Sequence, residues 1–590
     1  MKFQALALDY DGTIAQDGVL NPSVRAAIVE VRTRGIAVVI VTGRILSDLK
    51  QVLGSLDFVD AVVAENGAVL EFPNQYSRLI GAAPSAVFLE ELGRRGIQFV
   101  AGQCVVESDA ASAPAILSVI RELELPLIIL FNRGRLMVLP QGVSKSAGLH
   151  QALSALHLSV HNTVAIGDAQ NDHDLLDACE LGVAVAWGSP ALMKMADQVL
   201  AGSEPRAVAA FIRQMGQQLR LPPGQIGRHR LALGTGEDGR AVGLAVRGRN
   251  LLVTGEPRSG KSWVTGLTCE ELILQGYCVC VIDPEGDYRT LESLPGVVVF
   301  GGDDPPPQLP DLARALRHPE MSAVIDLCHL SYREKIDYLY SLLPMLASLR
   351  RSTGLPHRIV VDEAHYFLHD QHAKELLDLT LNAYTLVTYR VADLDPELRK
   401  GIEAIIVNRT TDPQEVRTLM AMTGSQSSAC EWEESLRNLK RNQAALLPGT
   451  EEAQGQIRPF ILAPRLTAHV RHKSKYLDVR LIAEQGFIFT QDSKPVGPPA
   501  RTLKEFVSFL SKCPPTVIEG HVHRGDFSRW IAEVFHDSTL AGIVRKAEQH
   551  YRRGHIREVI DCLATSIRDR YECPSDSLLS NWDLAATNGG

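Results

Sequence analysis

The chain has 590 residues, a net charge of −9, 45% hydrophobic and 22% charged residues. That balance excludes disordered, collagen-like and coiled-coil chains, and at about 150 residues per domain the length allows three or four domains. No apolar run reaches the ~18 residues of a membrane span, no segment is strongly basic, and the ten cysteines follow no disulfide spacing.

The expected location is therefore the cytoplasm, with no membrane partner and no broad affinity for nucleic acid. Acidic Asp9 and Asp11 argue against a signal peptide at the start.

From the N-terminus, Phe3–Leu8, Ile36–Val41, Ala61–Ala64 and Val164–Ile166 read as buried strands, with helical patterns such as Pro22–Arg34 between them. Such alternation predicts a parallel sheet covered on both faces. Asp9-Tyr-Asp11-Gly12-Thr13 directly follows the first strand. Residues two apart at a strand end point the same way, which puts both carboxylates at the sheet's C-terminal edge, where ligands bind in open α/β sheets. Thr42-Gly43-Arg44 closes the next strand, Lys145 opens a helix, and Asp168 begins the Asp-Ala-Gln-Asn171-Asp172 segment after the last strand. Four acids on one rim repel unless a cation sits among them, and a hard cation with oxygen ligands, most simply Mg²⁺, resolves this. Lys145 and nearby backbone amides would then hold a phosphate.

These residues in this order resemble the haloacid dehalogenase superfamily over about the first 220 positions. The resemblance implies that Asp9 is the nucleophile that becomes an aspartyl phosphate and Asp11 the general acid/base. It implies that Thr42, Gly43, Lys145 and Asn171 hold the substrate phosphate. Asp168, with Asp9, Asp11 and Asp172, would form or support the Mg²⁺ site. No motif residue departs from the pattern, so an active phosphatase is expected. The long interval between Thr42 and Lys145 implies an inserted α/β cap over 73–140, as in subclass IIB, with the core at 1–72 and 141–220. Relatives act on phosphoglycolate or sugar phosphates, so a small phosphorylated metabolite is the expected substrate. Arg133 and Arg135 in the cap read as a solvated strand end.

After the Pro222-Pro223-Gly224 linker a second alternating series begins. Gly234-Thr-Gly236-Glu-Asp-Gly239 spells a dinucleotide pattern, but a strand follows it, so a hairpin at Asp238-Gly239 is expected. Gly255-Glu256-Pro257-Arg258-Ser259-Gly260-Lys261-Ser262 follows the strand Leu251–Thr254 and fits a phosphate-binding loop. There the backbone amides cradle phosphate, Lys261 reaches the outer phosphates of ATP and Ser262 binds Mg²⁺. The strand Ile359–Val361 ends in Asp362-Glu363, which supplies a Mg²⁺ carboxylate and a base for water. His365, His369 and His372 follow at helical spacing and read as a solvent-facing helix.

With Asp283-Pro-Glu-Gly-Asp287-Tyr288, Thr388-Tyr389-Arg390 and Asn408-Arg409, the segment 221–470 resembles the HerA-like branch of the HerA/FtsK ATPase superfamily. Tyr389 stands where relatives often carry Gln. The resemblance implies a RecA-like α/β ATPase working as a hexameric ring, with a neighbour's arginine at the nucleotide; Arg409 is the first choice. Residues 471–590 predict a small, mainly helical accessory domain with a frayed tail.

The predicted fold is thus α/β throughout: a Rossmann-like phosphatase with a cap, an ATPase, and a helical module. The leading functional reading is a bifunctional hydrolase using Mg²⁺ and ATP. A second is a hexameric DNA motor whose phosphatase processes nucleic-acid ends or a nucleotide, which keeps nucleic acid open as a partner. A third is an ATP-sensing scaffold that regulates metabolite dephosphorylation.

Overall fold

The computed structural model describes residues 3–73, 76–132, 134–217, 228–246, 249–369, 373–425, 428–448, 455–468, 485–491, 494–534, 538–551 and 555–571. The chain divides into two units. One holds two α/β sheets and runs from the N-terminus to Ala468, less two short segments that fall with the C-terminal residues in the other.

The first sheet has eight strands. Its central strand, Ala5–Asp9, is wholly buried and pairs in parallel with Ala37–Val41 on one side and Thr163–Gly167 on the other. Leu6 and Leu8 enter one hydrophobic cluster while Ala5 and Ala7 enter another. That two-residue alternation between two cores is what a strand covered on both faces requires. Small alanines on the second face let the helix Lys145–Ala155 pack close to the sheet. Asp9 is in register with Val41 and Leu8 with Ile166, so Asp9, Thr42 and Asp168 emerge together at one edge.

The sheet continues through Ala61–Ala64 into two antiparallel strands, Val69–Glu71 and Ser77–Leu79. The latter pair belongs to the core sheet, so the cap body starts after it rather than at residue 73. The cap is an antiparallel sheet in the order Leu127–Asn132, Arg135–Pro140, Val106–Asp109, Phe99–Ala101. Two helices, Ala86–Arg94 and Ala113–Glu122, bury Phe88, Leu92, Ile116 and Val119 against it.

The second sheet has eleven strands. Leu251–Thr254 lies between Tyr384–Thr388 and Ala404–Val407, all parallel, and Arg358–Val361 pairs with Tyr384–Thr388 on its far side. Loop 255–260 and then the helix Lys261–Leu274 follow the strand Leu251–Thr254. Strands Arg230–Gly236 and Ala241–Ala245 form an antiparallel hairpin with Gly239 at positive φ, so the Gly-rich spelling there is a turn. The smaller unit contains five helices among its described residues, the first four being Leu503–Lys512, Pro515–Arg524, Asp526–Val534 and Ser538–Gln549, with Ile556–Tyr571 last. Their core is aromatic, with Phe487, Phe489, Phe506, Phe527 and Trp530 in mutual contact. No described helix is long and apolar enough to cross a membrane.

Candidate functional site

The edge of the first sheet gathers the acids. Asp9, Asp168 and Asp172 are buried, and one carboxylate oxygen from each lies within 4.8 Å of the others. Ser144 caps the helix that begins at Lys145 by accepting from the Ala147 amide, and this fixes the lysine at the helix start. The Lys145 Nζ lies 2.6 Å from both Asp9 Oδ1 and Asp172 Oδ1, with its side chain fully buried. The other Asp172 oxygen accepts from the Asp168 and Ala169 amides, each at 3.0 Å. Asp172 thus turns one oxygen to Lys145 and the other to its own turn, although the sequence counts it among the Mg²⁺ residues.

Burial, aided by the Asp172 charge, pushes the Asp9 carboxyl up to about 7 although Lys145 opposes the shift. Burial works against the Lys145 charge, but Asp172 and Asp9 outweigh it and raise the lysine above its ordinary range. Asp9 Oδ2 is buried and has no hydrogen-bond donor among the described residues. A buried carboxylate oxygen without a donor, beside a second acid, is what a divalent cation would satisfy, so the donor set fits Mg²⁺.

Asp11 has a partner the sequence did not predict. Arg44 forks onto it, with Nε to Oδ2 at 2.6 Å and Nη2 to Oδ1 at 2.7 Å, and also reaches Asp48. Thr42 is buried, and its hydroxyl accepts from the Arg44 amide. The Asn171 side-chain amide reaches Asn66 at 3.4 Å. Gly43 abuts Met137 of the cap. A cavity of about 760 Å³ opens beside Asp11 and Asp168 and is bounded by Trp187 and by cap residue Asn132. The Trp187 ring nitrogen donates to the Gly12 carbonyl at 2.7 Å, while the buried Asn132 Oδ1 has no partner among the described residues. Cap residue Arg135 pairs with Glu107, and Arg133 lies outside the described residues.

Glu65 fastens the cap to the core. Its buried carboxylate accepts from the amides of Gln103, Cys104 and Val105 at 3.0, 2.7 and 3.2 Å. Glu65, Asn66 and Gly67 all have positive φ, and a side chain at Gly67 would collide with the Ser144 carbonyl. Glu65→Ala strands three amide donors, each costing about 1–3 kcal/mol if buried. We expect a thermal midpoint lowered by several degrees together with a raised KM, read by calorimetry and steady-state kinetics. Glu65→Gln should recover part of both.

In the second sheet, Gly255 and Gly260 have positive φ, and a side chain at Gly255 would strike Ser259 and Asn408. Lys261 Nζ donates to the carbonyls of Gly255 and Glu256 at 3.0 and 3.1 Å. After the strand Arg358–Val361, Asp362 and Glu363 are buried, Asp362 Oδ1 accepting from the Glu363 amide at 2.9 Å. His365 does not face solvent on a helix as its spacing suggested. It is 7% exposed in a short 3₁₀ turn, 3.6 Å from Glu363 and 3.0 Å from the Thr388 hydroxyl. Burial drives its pKa down to about 4. His369 is exposed, and His372 lies outside the described residues. Arg409 pairs with Glu256 of its own chain's loop, whose other oxygen takes the Thr411 hydroxyl at 2.9 Å. Arg390 pairs with Asp393 at 3.3 Å.

Comparison with known proteins finds likeness in the first sheet and its cap. The haloacid dehalogenase-like hydrolase family matches residues 6–82 and 101–212. The phosphoglycolate phosphatase of Methanothermobacter thermautotrophicus is 28% identical over 222 residues, which is 36% of this chain and 98% of that protein. The enzyme of that name from Methanopyrus kandleri is 29% identical over 225 residues, 36% of this chain and 96% of that protein. A solved haloacid dehalogenase-like hydrolase from Bacteroides thetaiotaomicron is 17% identical, covering 36% of this chain and all of that one, with a TM-score of 0.33.

Proposed function

We propose that this chain, whose first 220 or so residues are a haloacid dehalogenase-superfamily phosphatase domain, is a bifunctional hydrolase that cleaves a small phosphomonoester at one sheet and ATP at the other. The observation that carries the first activity is the buried Asp9–Lys145–Asp172 chain beside Asp168. The Asp9 carboxylate attacks phosphorus as the bond to the substrate oxygen breaks. That oxygen takes the proton from Asp11. The Asp11 carboxylate then takes a proton from water, whose oxygen attacks the aspartyl phosphate, and inorganic phosphate leaves with Asp9 regenerated. Arg44 holds both Asp11 oxygens, so substrate entry must loosen that fork before proton transfer. Asp9, the Asp11 carbonyl and Asp168 would hold Mg²⁺, which would supply charge neutralisation to the transferring phosphoryl group. Lys145 and Thr42 hold its oxygens, and Asp172 keeps Lys145 in place.

The substrate follows from the likeness to phosphoglycolate phosphatases and from the cavity. Asn132 reaches into it from the cap with an amide oxygen that has no partner among the described residues, which suits a hydroxyl or another hydrogen-bond donor on a compact, polar phosphometabolite. We read phosphoglycolate or a sugar phosphate, selected by a cap of the subclass IIB kind.

For the second activity, Lys261 now rests on loop carbonyls and would turn to the β- and γ-phosphates of ATP. Ser262 and Asp362 would hold Mg²⁺. Glu363 would orient water, with His365 behind it kept neutral by burial. An arginine supplied by a neighbouring subunit would require Arg409 to leave Glu256.

The test is a panel of phosphometabolites and, separately, ATP turnover with the full chain. Lys261→Ala should lower ATP turnover by at least about 10²-fold and leave phosphomonoester hydrolysis within about twofold. Unchanged ATP turnover in that variant sinks the ATPase reading, and no turnover of any phosphomonoester sinks the phosphatase one.

A further inference from the structure

Where the two sheets of the larger unit meet, three possible metal ligands converge far from either proposed site. His161 comes from the turn before the strand Thr163–Gly167, and Glu180 immediately precedes the strand Leu181–Val185. The Glu180 amide donates to the Val160 carbonyl at 3.0 Å, which locks these two residues side by side. His229 arrives from the other sheet, directly before the strand Arg230–Gly236. One ligand atom from each lies within 4.8 Å of the others.

The hydrogen bonds fix the orientation of the first histidine. Its Nε2 lies 2.7 Å from the Gln275 carbonyl, an acceptor only, so Nε2 carries the proton. In the neutral ring Nδ1 is then a lone pair, and it faces Glu180 Oε2 at 3.3 Å. Two acceptors at that distance need either a second proton or a cation between them. The 3.3 Å separation equals the edge of a tetrahedron with ligand bonds of about 2.0–2.1 Å. Around it stands the usual supporting shell of a metal-bound imidazole and carboxylate. The Gln275 carbonyl takes the ring N–H, and the Tyr277 hydroxyl donates to Glu180 Oε2 at 2.8 Å while its ring stacks on His161 with centroids 3.7 Å apart. An adjoining cavity of about 570 Å³, lined in part by His161, His229 and Tyr277, gives an ion and a fourth ligand access.

We propose that His161, Glu180 and His229 form a binding site for a borderline transition-metal ion, Zn²⁺ being the best match to two imidazoles and a carboxylate, and that this ion staples the two sheets together. The site is distinct in chemistry from the all-oxygen cluster at Asp9, which suits Mg²⁺.

The test uses the full chain, stripped with a chelator and titrated with Co²⁺ in excess Mg²⁺. One equivalent should bind with the intense visible absorption of four-coordinate cobalt, Zn²⁺ should displace it, and binding should raise the thermal midpoint. His229→Ala removes a half-buried side chain and should weaken Co²⁺ binding at least about 100-fold. Tyr277→Phe, which keeps the stacked ring, should weaken it about tenfold. Asp168→Asn should leave the cobalt spectrum unchanged. The proposal is overturned if the stripped chain binds no Co²⁺. Equal binding by the His229 variant, or loss of the spectrum with Asp168→Asn, overturns it as well.

Discussion

Asp9→Asn should lower phosphomonoester hydrolysis by at least about 10³-fold while ATP turnover stays within about twofold of the unaltered chain. The size follows from the role: removal of an attacking nucleophile typically costs several orders of magnitude in kcat, because nothing else can form the covalent intermediate. The substitution is nearly isosteric, so binding of the phosphate by Thr42 and Lys145 should persist and KM should move less than kcat. It also removes one of the buried negative charges that repel each other, and burial already makes the Asp9 carboxylate costly to ionise. In chelator at pH 8, where the unaltered Asp9 is largely charged, the variant should therefore melt no lower than the unaltered chain. Below about pH 4 the two should converge, since a carboxyl raised by folding loses its destabilising effect once it is protonated in both states. Release of inorganic phosphate and calorimetry at the two pH values check this. A variant that keeps a tenth of the activity shows that Asp9 is not the nucleophile. A variant that loses ATP turnover too shows that the two sites are not independent.

The acids were legible because each follows a run of buried β-branched or aliphatic residues. A strand end fixes both where a residue lies and which way it points, so Asp9, Thr42 and Asp168 could be placed on one rim from spacing alone. Lys145 was legible through its helix start. The same logic located loop 255–260 after Leu251–Thr254 and Asp362 after Arg358–Val361. What escaped was everything set by tertiary approach. Glu65 reads as part of a Glu-Asn-Gly turn, and nothing local says that its carboxylate will take three amides about 40 residues away. The Arg44–Asp11 fork joins residues 33 apart, although Arg44 lay inside a quoted motif. His365 has helical spacing to His369, yet Glu363 adopts a left-handed backbone and the segment tightens into a 3₁₀ turn that buries the ring. Periodicity finds a face, but here the chain did not make the helix that would have a face. His161 and His229 belong to different sheets, and their meeting depends on how those sheets pack.

Lys145→Met should be strongly destabilising, by about 3–5 kcal/mol at pH 8 in chelator, with phosphatase activity lost as well. Among the described residues the lysine is the one side chain that bridges Asp9 and Asp172, at 2.6 Å to each, with no solvent access. Methionine fills the volume but leaves two buried carboxylates facing each other. Breaking a buried ion pair from one side costs more than the pair was worth, since the remaining charge has lost both water and partner. The pH dependence separates this cause from mere repacking. In the unaltered chain the raised lysine pKa means that its stabilisation is fully present below about pH 10 and constant through neutrality. In the variant the penalty should be largest where both carboxylates are ionised and should shrink as the pH falls and one of them takes a proton. A packing defect would show no such slope. The double substitution Lys145→Met with Asp9→Asn removes one charge of each sign, so it should recover most of the lost stability and none of the activity. That positive coupling, about 2 kcal/mol or more in a double-mutant cycle, is the signature of a direct charge interaction. Additive losses would mean that Asp9 and Lys145 do not depend on each other in the way their geometry requires.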